Sequence, residues 1–203
     1  MPDVRGKRIV VFGDSLSSGA GSPGAEMAAA LQAGGAAVQV NARIGRSAHN
    51  FWTREDTATQ LAAIQAFRPN LVIVELGTND IGLAMSVDRA QMQKLRTALA
   101  ANGAEVWAFG PPAFRPELGL DSGAAEVVTM MLSVFGNRFI DLRRSTRDML
   151  TAERGRAADG VHFTSAGGEQ LGKRMADQLV DATSSNALIW APLLALLAYA
   201  LFR

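Results

Sequence analysis

"RIVVFGDSLSSGAGSPGAEMAAALQAGGAAVQVNARIG", residues 8–45, sets two short apolar runs on either side of an alanine-rich segment. The first run, "RIVVFG" (8–13), is nearly continuous in apolar and β-branched residues, as in a strand buried on both faces. "GAEMAAALQAG" (24–34) reads as helix, and "AAVQVNARIG" (36–45) returns to strand. Strand, helix and strand at this spacing predict a βαβ unit, whose two strands lie parallel in one sheet.

The same alternation continues along the chain. "REDTATQLAAIQAF" (54–67) precedes "NLVIVELG" (70–77), and "SVDRAQMQKLRTALAANG" (86–103) precedes "EVWAFGPP" (105–112). "GAAEVVTMMLSVFG" (123–136) precedes "RFIDL" (138–142), and "SAGGEQLGKRMADQLVDA" (165–182) closes the series as a helix. The expected fold is therefore α/β, a five-stranded parallel sheet covered on both faces. There is no internal repeat, and the one candidate boundary is "ATSSN" (182–186), which divides a domain of residues 1–182 from a tail of 183–203.

Composition narrows the function classes. The chain has 203 residues, 48% hydrophobic and 19% charged, enough for one domain with a real core and unlike a disordered segment. A net charge of +1, with no basic stripe among aromatics, gives no case for nucleic acid. Without cysteine there are neither disulfides nor thiolate metal sites. "MPDVRGKRIVVFGDS" passes straight into a strand and lacks the apolar region and cleavage site of a signal peptide, so the expectation is cytoplasmic by default.

In parallel α/β sheets, ligands bind beyond the carboxyl ends of the strands. The residues found there are Gly13-Asp14-Ser15, Gly45-Arg46-Ser47, Gly77-Thr78-Asn79-Asp80, Gly110-Pro111-Pro112 and, further on, "ADGVHFTSAGG" (158–168). A serine hydroxyl is a weak nucleophile until a base takes its proton. The chain holds two histidines, His49 and His162, and Asp159 lies three residues before His162, where one turn sets its carboxylate beside the imidazole. Acyl transfer also needs donors for the oxyanion, each worth about 3–4 kcal/mol. The Ser15 N–H at the start of a helix, the N–H of Gly45 and the amide of Asn79 are candidates. Gly45 also reads as a loop glycine, Asn79 as a helix cap before "DIGLAM", and Asp-x-x-His as a structural pair.

Four blocks in this order carry a resemblance: "FGDSLSSG" with Ser15, "NARIGRSA" with Gly45, "ELGTND" with Asn79, and "DGVHFT" with Asp159 and His162. They resemble those of SGNH hydrolases, the GDSL esterase and lipase superfamily, over roughly residues 8–182. The resemblance implies a flavodoxin-like three-layer α/β/α sandwich and a Ser-His-Asp hydrolase with no metal or other cofactor. It implies Ser15 as nucleophile and first oxyanion donor, Gly45 and Asn79 as the other donors, His162 as base and Asp159 as its partner. "DGVHFTSAGGEQLG" is more similar to bacterial carbohydrate and peptidoglycan acetyl-esterases than to long-chain lipases of the superfamily. The expected substrate is a small-molecule or glycan ester, with a lysophospholipase or thioesterase as the alternative.

Around these blocks, Arg46, His49, Phe51 and Trp52 read either as a wall of the substrate cleft or as an ordinary surface loop. Asp14 and Asp80 fall beside the site and read as supporting hydrogen-bond partners or helix-start anions, and as candidate substrate contacts together with Arg46, His49 and Trp52. A metal-dependent phosphoesterase using Asp14, Asn79, Asp80, Asp159 and His162 is a rival class, short of the ligands that two-metal sites require. "GDSLSSGAG" lacks the spacings of phosphate-binding loops. The uncharged tail "ALIWAPLLALLAYALF" (187–202) would extend about 24 Å as a helix, against about 30 Å of hydrocarbon. It reads as a terminal helix buried on the domain or in self-association, or as a membrane contact.

Overall fold

Five strands pair in parallel in the order β2-β1-β3-β4-β5: β1 (Arg8–Gly13), β2 (Ala37–Ala42), β3 (Leu71–Glu75), β4 (Glu105–Phe109) and β5 (Phe139–Ile140). The computed structural model describes residues 4–53 and 56–201, with 184–201 described by their backbone only. Seven helices are described: α1 (Pro23–Ala33), α2 (Ala48–Phe51), α3 (Thr57–Phe67), α4 (Met85–Leu99), α5 (Asp121–Phe135), α6 (Leu142–Thr146) and α7 (Ser165–Leu201).

The continuous apolar runs of β1 and β3 are the two inner strands next to the point where the winding reverses. Val11 pairs with Val40 on one side and Ile73 on the other. Alternate side chains of each strand then supply opposite cores, since successive Cβ atoms leave opposite faces. Val10, Phe12, Val72 and Val74 meet Phe51, Ile64, Met92 and Met131 of α2 to α5. Ile9, Val11, Ile73 and Phe109 meet Met27, Leu31, Leu171 and Met175 of α1 and α7. The result is the flavodoxin-like three-layer α/β/α sandwich, with its ligand crevice expected between β1 and β3.

Several boundaries differ from the sequence reading for local reasons. β2 stops at Ala42, and the chain then turns through Gly45 at φ 70°. β5 keeps only two residues because Asp141 accepts from Arg143 N (3.0 Å) and starts α6. The segment before β3 is two helices; α2 is initiated by Ser47 and Asn50, whose side chains each accept the other's backbone N–H (3.1 Å). The "ATSSN" segment does not interrupt α7, whose backbone runs on to Leu201. The side chains of 187–202, and hence what covers them, lie outside the described residues. Among the described residues no helix is long and apolar enough to cross a membrane.

Candidate active site

The chain leaves β1 through Gly13 into a single 3-10 turn, Ser15–Ser17. Asp14 starts it by accepting from Leu16 N at 2.8 Å. The turn is fastened from below, where Ser17 Oγ donates to the buried Glu75 Oε2 at 2.7 Å at the end of β3. A Cβ on Gly13 would lie 2.2 Å from Ser17 Oγ, so only glycine lets the turn close this tightly. No α-helix begins at Ser15, contrary to the sequence expectation. Gly19 and Gly21 at φ 90° and 79° delay α1 until Pro23, so no long helix dipole lies behind the serine.

Ser15 Oγ is 2.9 Å from His162 Nε2, and His162 Nδ1 is 2.6 Å from Asp159 Oδ2. Asp159 Oδ1 also accepts from the N–H groups of Val161 and His162, each at 2.9 Å. Partial desolvation raises this carboxyl, but the hydrogen bonds from His162 and Val161 outweigh it and bring its pKa down to about 2. An ionised Asp159 accepts the Nδ1 proton, which leaves Nε2 to accept the Ser15 O–H.

Asn79 joins the three loops of the crevice. Its Nδ2 donates to Asp14 Oδ2 (3.0 Å) and to the Arg46 carbonyl (3.1 Å). It lies within the 3-10 turn Thr78–Asp80 and is not a helix cap; α4 begins only at Met85. To serve an oxyanion, one of these amide protons must be shared or released. Gly45 lies in the neighbouring loop, where its carbonyl accepts from Asn50 Nδ2 at 3.1 Å.

Asp14, Arg46 and Asp80, candidate substrate contacts by sequence, have buried side chains, and Asp14 acts instead as a helix-start anion and as acceptor for Asn79. The Arg46 guanidinium is spent inward, on the carbonyls of Gly13 (2.9 Å) and Asn41 (2.6 Å), on Asn41 Oδ1 (2.9 Å) and on Gln60, while stacking on Phe12. Burial raises the Asp14 carboxyl to about 6, against the hydrogen bond from Leu16 N and the charge of His162. Burial likewise raises Asp80 to about 7, although its Oδ1 accepts from His49 N at 3.2 Å.

Phe51 is buried, and Trp52 is half-buried with its Nε1 donating to the Gln91 carbonyl at 3.2 Å and Lys94 over its ring. The His49 ring pairs with the buried Asp88 at 2.8 Å and is 44% exposed. None of Arg46, His49, Phe51 and Trp52 lines the cavity beside Ser15. That cavity, about 170 Å³, lies on the α1 side, between Ser18, Ser22, Ser165, Phe163 and the pair Ser15–His162. Among the described residues no three His, Asp or Glu side chains gather as a metal site.

A sequence model of the GDSL-like lipase/acylhydrolase family matches residues 11–170, a span that contains Ser15, Gly45, Asn79, Asp159 and His162. The chain belongs to this family. Solved structures share its fold. A lipase/acylhydrolase from Enterococcus faecalis superposes with a TM-score of 0.67 at 20% identity, over 86% of this chain and 96% of the other. A putative SGNH hydrolase from Slackia heliotrinireducens gives 0.68 at 22%, over 84% and 97%. A catalytic serine-to-alanine mutant of an acetylxylan esterase from Geobacillus stearothermophilus gives 0.67 at 16%, over 88% and 96%. At these identities the likeness is one of fold. No curated protein matches the chain by sequence. As a family member, the protein is a carboxylic ester hydrolase of the SGNH type.

Some parts of this GDSL-family site escaped the sequence reading. Gly167 and Gly168 open α7 where a Cβ would lie 2.0 Å from the Gly155 carbonyl oxygen and 1.8 Å from that of Gly21. Their backbone therefore rests on the loop leading to His162 and on the loop following Ser15. The signal was present, since glycine costs a helix about 1 kcal/mol relative to alanine and this chain is otherwise rich in alanine. Glu75 and Arg156 had no such signal, because their roles depend on partners distant in sequence.

Proposed function

We propose that the protein is a serine esterase acting through an acyl-enzyme on short acyl groups, namely acetyl esters of a carbohydrate or peptidoglycan-type substrate.

 

The observation that carries this reading is the chain of contacts from Ser15 Oγ to His162 Nε2 (2.9 Å) and from His162 Nδ1 to Asp159 Oδ2 (2.6 Å). His162 takes the Ser15 proton as the oxygen attacks the ester carbonyl, and Asp159 holds the ring in the tautomer that can accept it. The Ser15 N–H, the Gly45 N–H and Asn79 Nδ2 serve the oxyanion, which requires Asn79 to share the proton it gives Asp14 or Arg46. The alcohol leaves with the proton held by His162. Water then attacks the acyl-enzyme by the same route in reverse.

The preference for short acyl groups is supported by the cavity beside Ser15. Its volume of about 170 Å³ lies below the roughly 300–1,000 Å³ of pockets for drug-sized ligands, and four of its lining residues, Ser15 included, are serines, poor partners for an alkyl chain. The fold shared with an acetylxylan esterase points the same way. The test is hydrolysis of p-nitrophenyl esters from acetate to palmitate by the parent and by Ser15→Ala. The proposal expects activity that falls steeply beyond butyrate and disappears in Ser15→Ala. Activity rising toward palmitate would favour the lysophospholipase reading, and parental activity in Ser15→Ala would refute the assignment of the nucleophile.

A further inference from the structure

The loop that carries Asp159 and His162 is organised around a buried cation. Arg156 is fully buried, and no carboxylate pairs with it among the described residues. Its guanidinium donates to three backbone carbonyls from separate segments. Nε reaches Met149 O (3.1 Å) after α6, Nη2 reaches Ala113 O (2.7 Å) after β4, and Nη1 reaches Val161 O (2.9 Å). The guanidinium lies 3.9 Å from the centre of the Phe163 ring, and the backbones of Arg156 and Phe163 form an isolated antiparallel bridge.

The Val161 contact bears on the chemistry. Val161 O and His162 N belong to one peptide unit, and His162 N donates to Asp159 Oδ1 at 2.9 Å. One end of this rigid plane is therefore held by Arg156 and the other by the acid of the triad. The next link is fixed as well, because Ala157 N donates to the His162 carbonyl at 2.9 Å. Drawing electron density toward the Val161 oxygen also makes the His162 N–H a better donor to Asp159.

We propose that Arg156 is a positioning residue for ester hydrolysis: by clamping the Val161 carbonyl and the Phe163 ring, it sets where His162 Nε2 stands relative to Ser15 Oγ. Arginine is suited to this place because its planar fork reaches three acceptors at once, whereas lysine offers a point charge on a flexible stem. Burying an unpaired cation costs several kcal/mol, which an interior needing only bulk would avoid with an apolar side chain. Desolvation and the neighbouring Arg115 bring its pKa down to about 10, against the pull of Asp159.

The inference rests on the proposed roles of Ser15, His162 and Asp159. Its test measures kcat and KM on p-nitrophenyl acetate for Arg156→Lys, Arg156→Met and Arg156→Ala, with circular dichroism melts to fix the folded fraction. Misplacing the base by about 1 Å should lower kcat by about 100-fold in the folded variants, with KM close to the parent's. Guanidinium chloride at low millimolar concentration should restore part of the kcat of Arg156→Ala, and sodium chloride at equal ionic strength should not. Parental kcat in Arg156→Lys or Arg156→Met, or a loss no larger than the unfolded fraction, would overturn the proposal. If the Ala and Met variants do not fold, Arg156→Lys carries the test alone. Should Ser15→Ala be inactive while Arg156 variants keep parental kcat, this inference falls and the nucleophile assignment stands. Parental activity in Ser15→Ala would remove the assignment itself.

Discussion

Replacing Gly168 with alanine tests how closely catalysis depends on the packing of α7. The added Cβ would lie 1.8 Å from the Gly21 carbonyl oxygen, whereas carbon and oxygen ordinarily approach no nearer than about 3.3 Å. Both partners are backbone, so no side chain can rotate away. The first turn of α7 or the loop of residues 19–22 must therefore move by about 1.5 Å, the difference between those distances. Overpacking of this kind costs about 1–3 kcal/mol, offset by up to about 1 kcal/mol from the better helix propensity of alanine. At about 2–4 °C per kcal/mol for a domain of this size, the melting temperature should fall by only a few degrees.

Activity should fall much further. The displaced turn is tied to the catalytic loop through Gly168 N donating to Thr164 O (2.7 Å), two residues beyond His162. Misplacing reacting groups by about 1 Å costs about 100-fold, so kcat on p-nitrophenyl acetate should drop by about that factor. Lys173→Ala, on the exposed side of the same helix, is the comparison and should change little. Parental kcat and melting temperature in Gly168→Ala would refute the reasoning.

Three other outcomes are expected. Asp159→Asn removes the acceptor that fixes the His162 tautomer and should lower kcat by up to about 10⁴-fold without a matching change in KM, measured on the same ester. Asp80 ionises at about 7 when folded against 3.8 ordinarily, so the parent loses stability as pH rises through that interval, by up to about 4 kcal/mol. Asp80→Asn keeps the Oδ1 acceptor for His49 N without the charge; melts should show it more stable than the parent above pH 7 and level with it below about pH 4. Arg46→Met removes the donor to the Asn41 carbonyl and to Asn41 Oδ1, while the Gly13 carbonyl keeps Arg43 N (3.1 Å). At about 1–3 kcal/mol for each buried acceptor left unpaired, it should lower the melting temperature by roughly 5–10 °C in a calorimetric scan.

What could be read from sequence was whatever depends on neighbours along the chain. The runs at 8–13 and 70–77 gave the inner strands because a strand covered on both faces has no polar alternation to confuse it. Asp159 and His162 were legible as a pair because a single turn brings them together. Arg46 misled because an arginine in a loop beside a glycine, here Gly45, reads as a surface group. Only the fold shows the pocket of carbonyls and the Phe12 face that take it inside. The helix expected under Ser15 failed for a local reason, two glycines at positive φ before Pro23. The cavity beside Ser15 lies near Ser18, Ser22 and Ser165, a placement with no local signal because it depends on how α1 and α7 pack.

Ser15 and His162 are separated by 147 positions in the chain yet meet at 2.9 Å, across the pairing of α1 with α7. Contacts between such distant segments are among the costliest to close during folding. Ester hydrolysis can therefore serve as a clock for the last stage of refolding. Helical signal should return while α1, α4 and α5 form, and hydrolysis should return only when the final helix docks and the two ends of the domain come together.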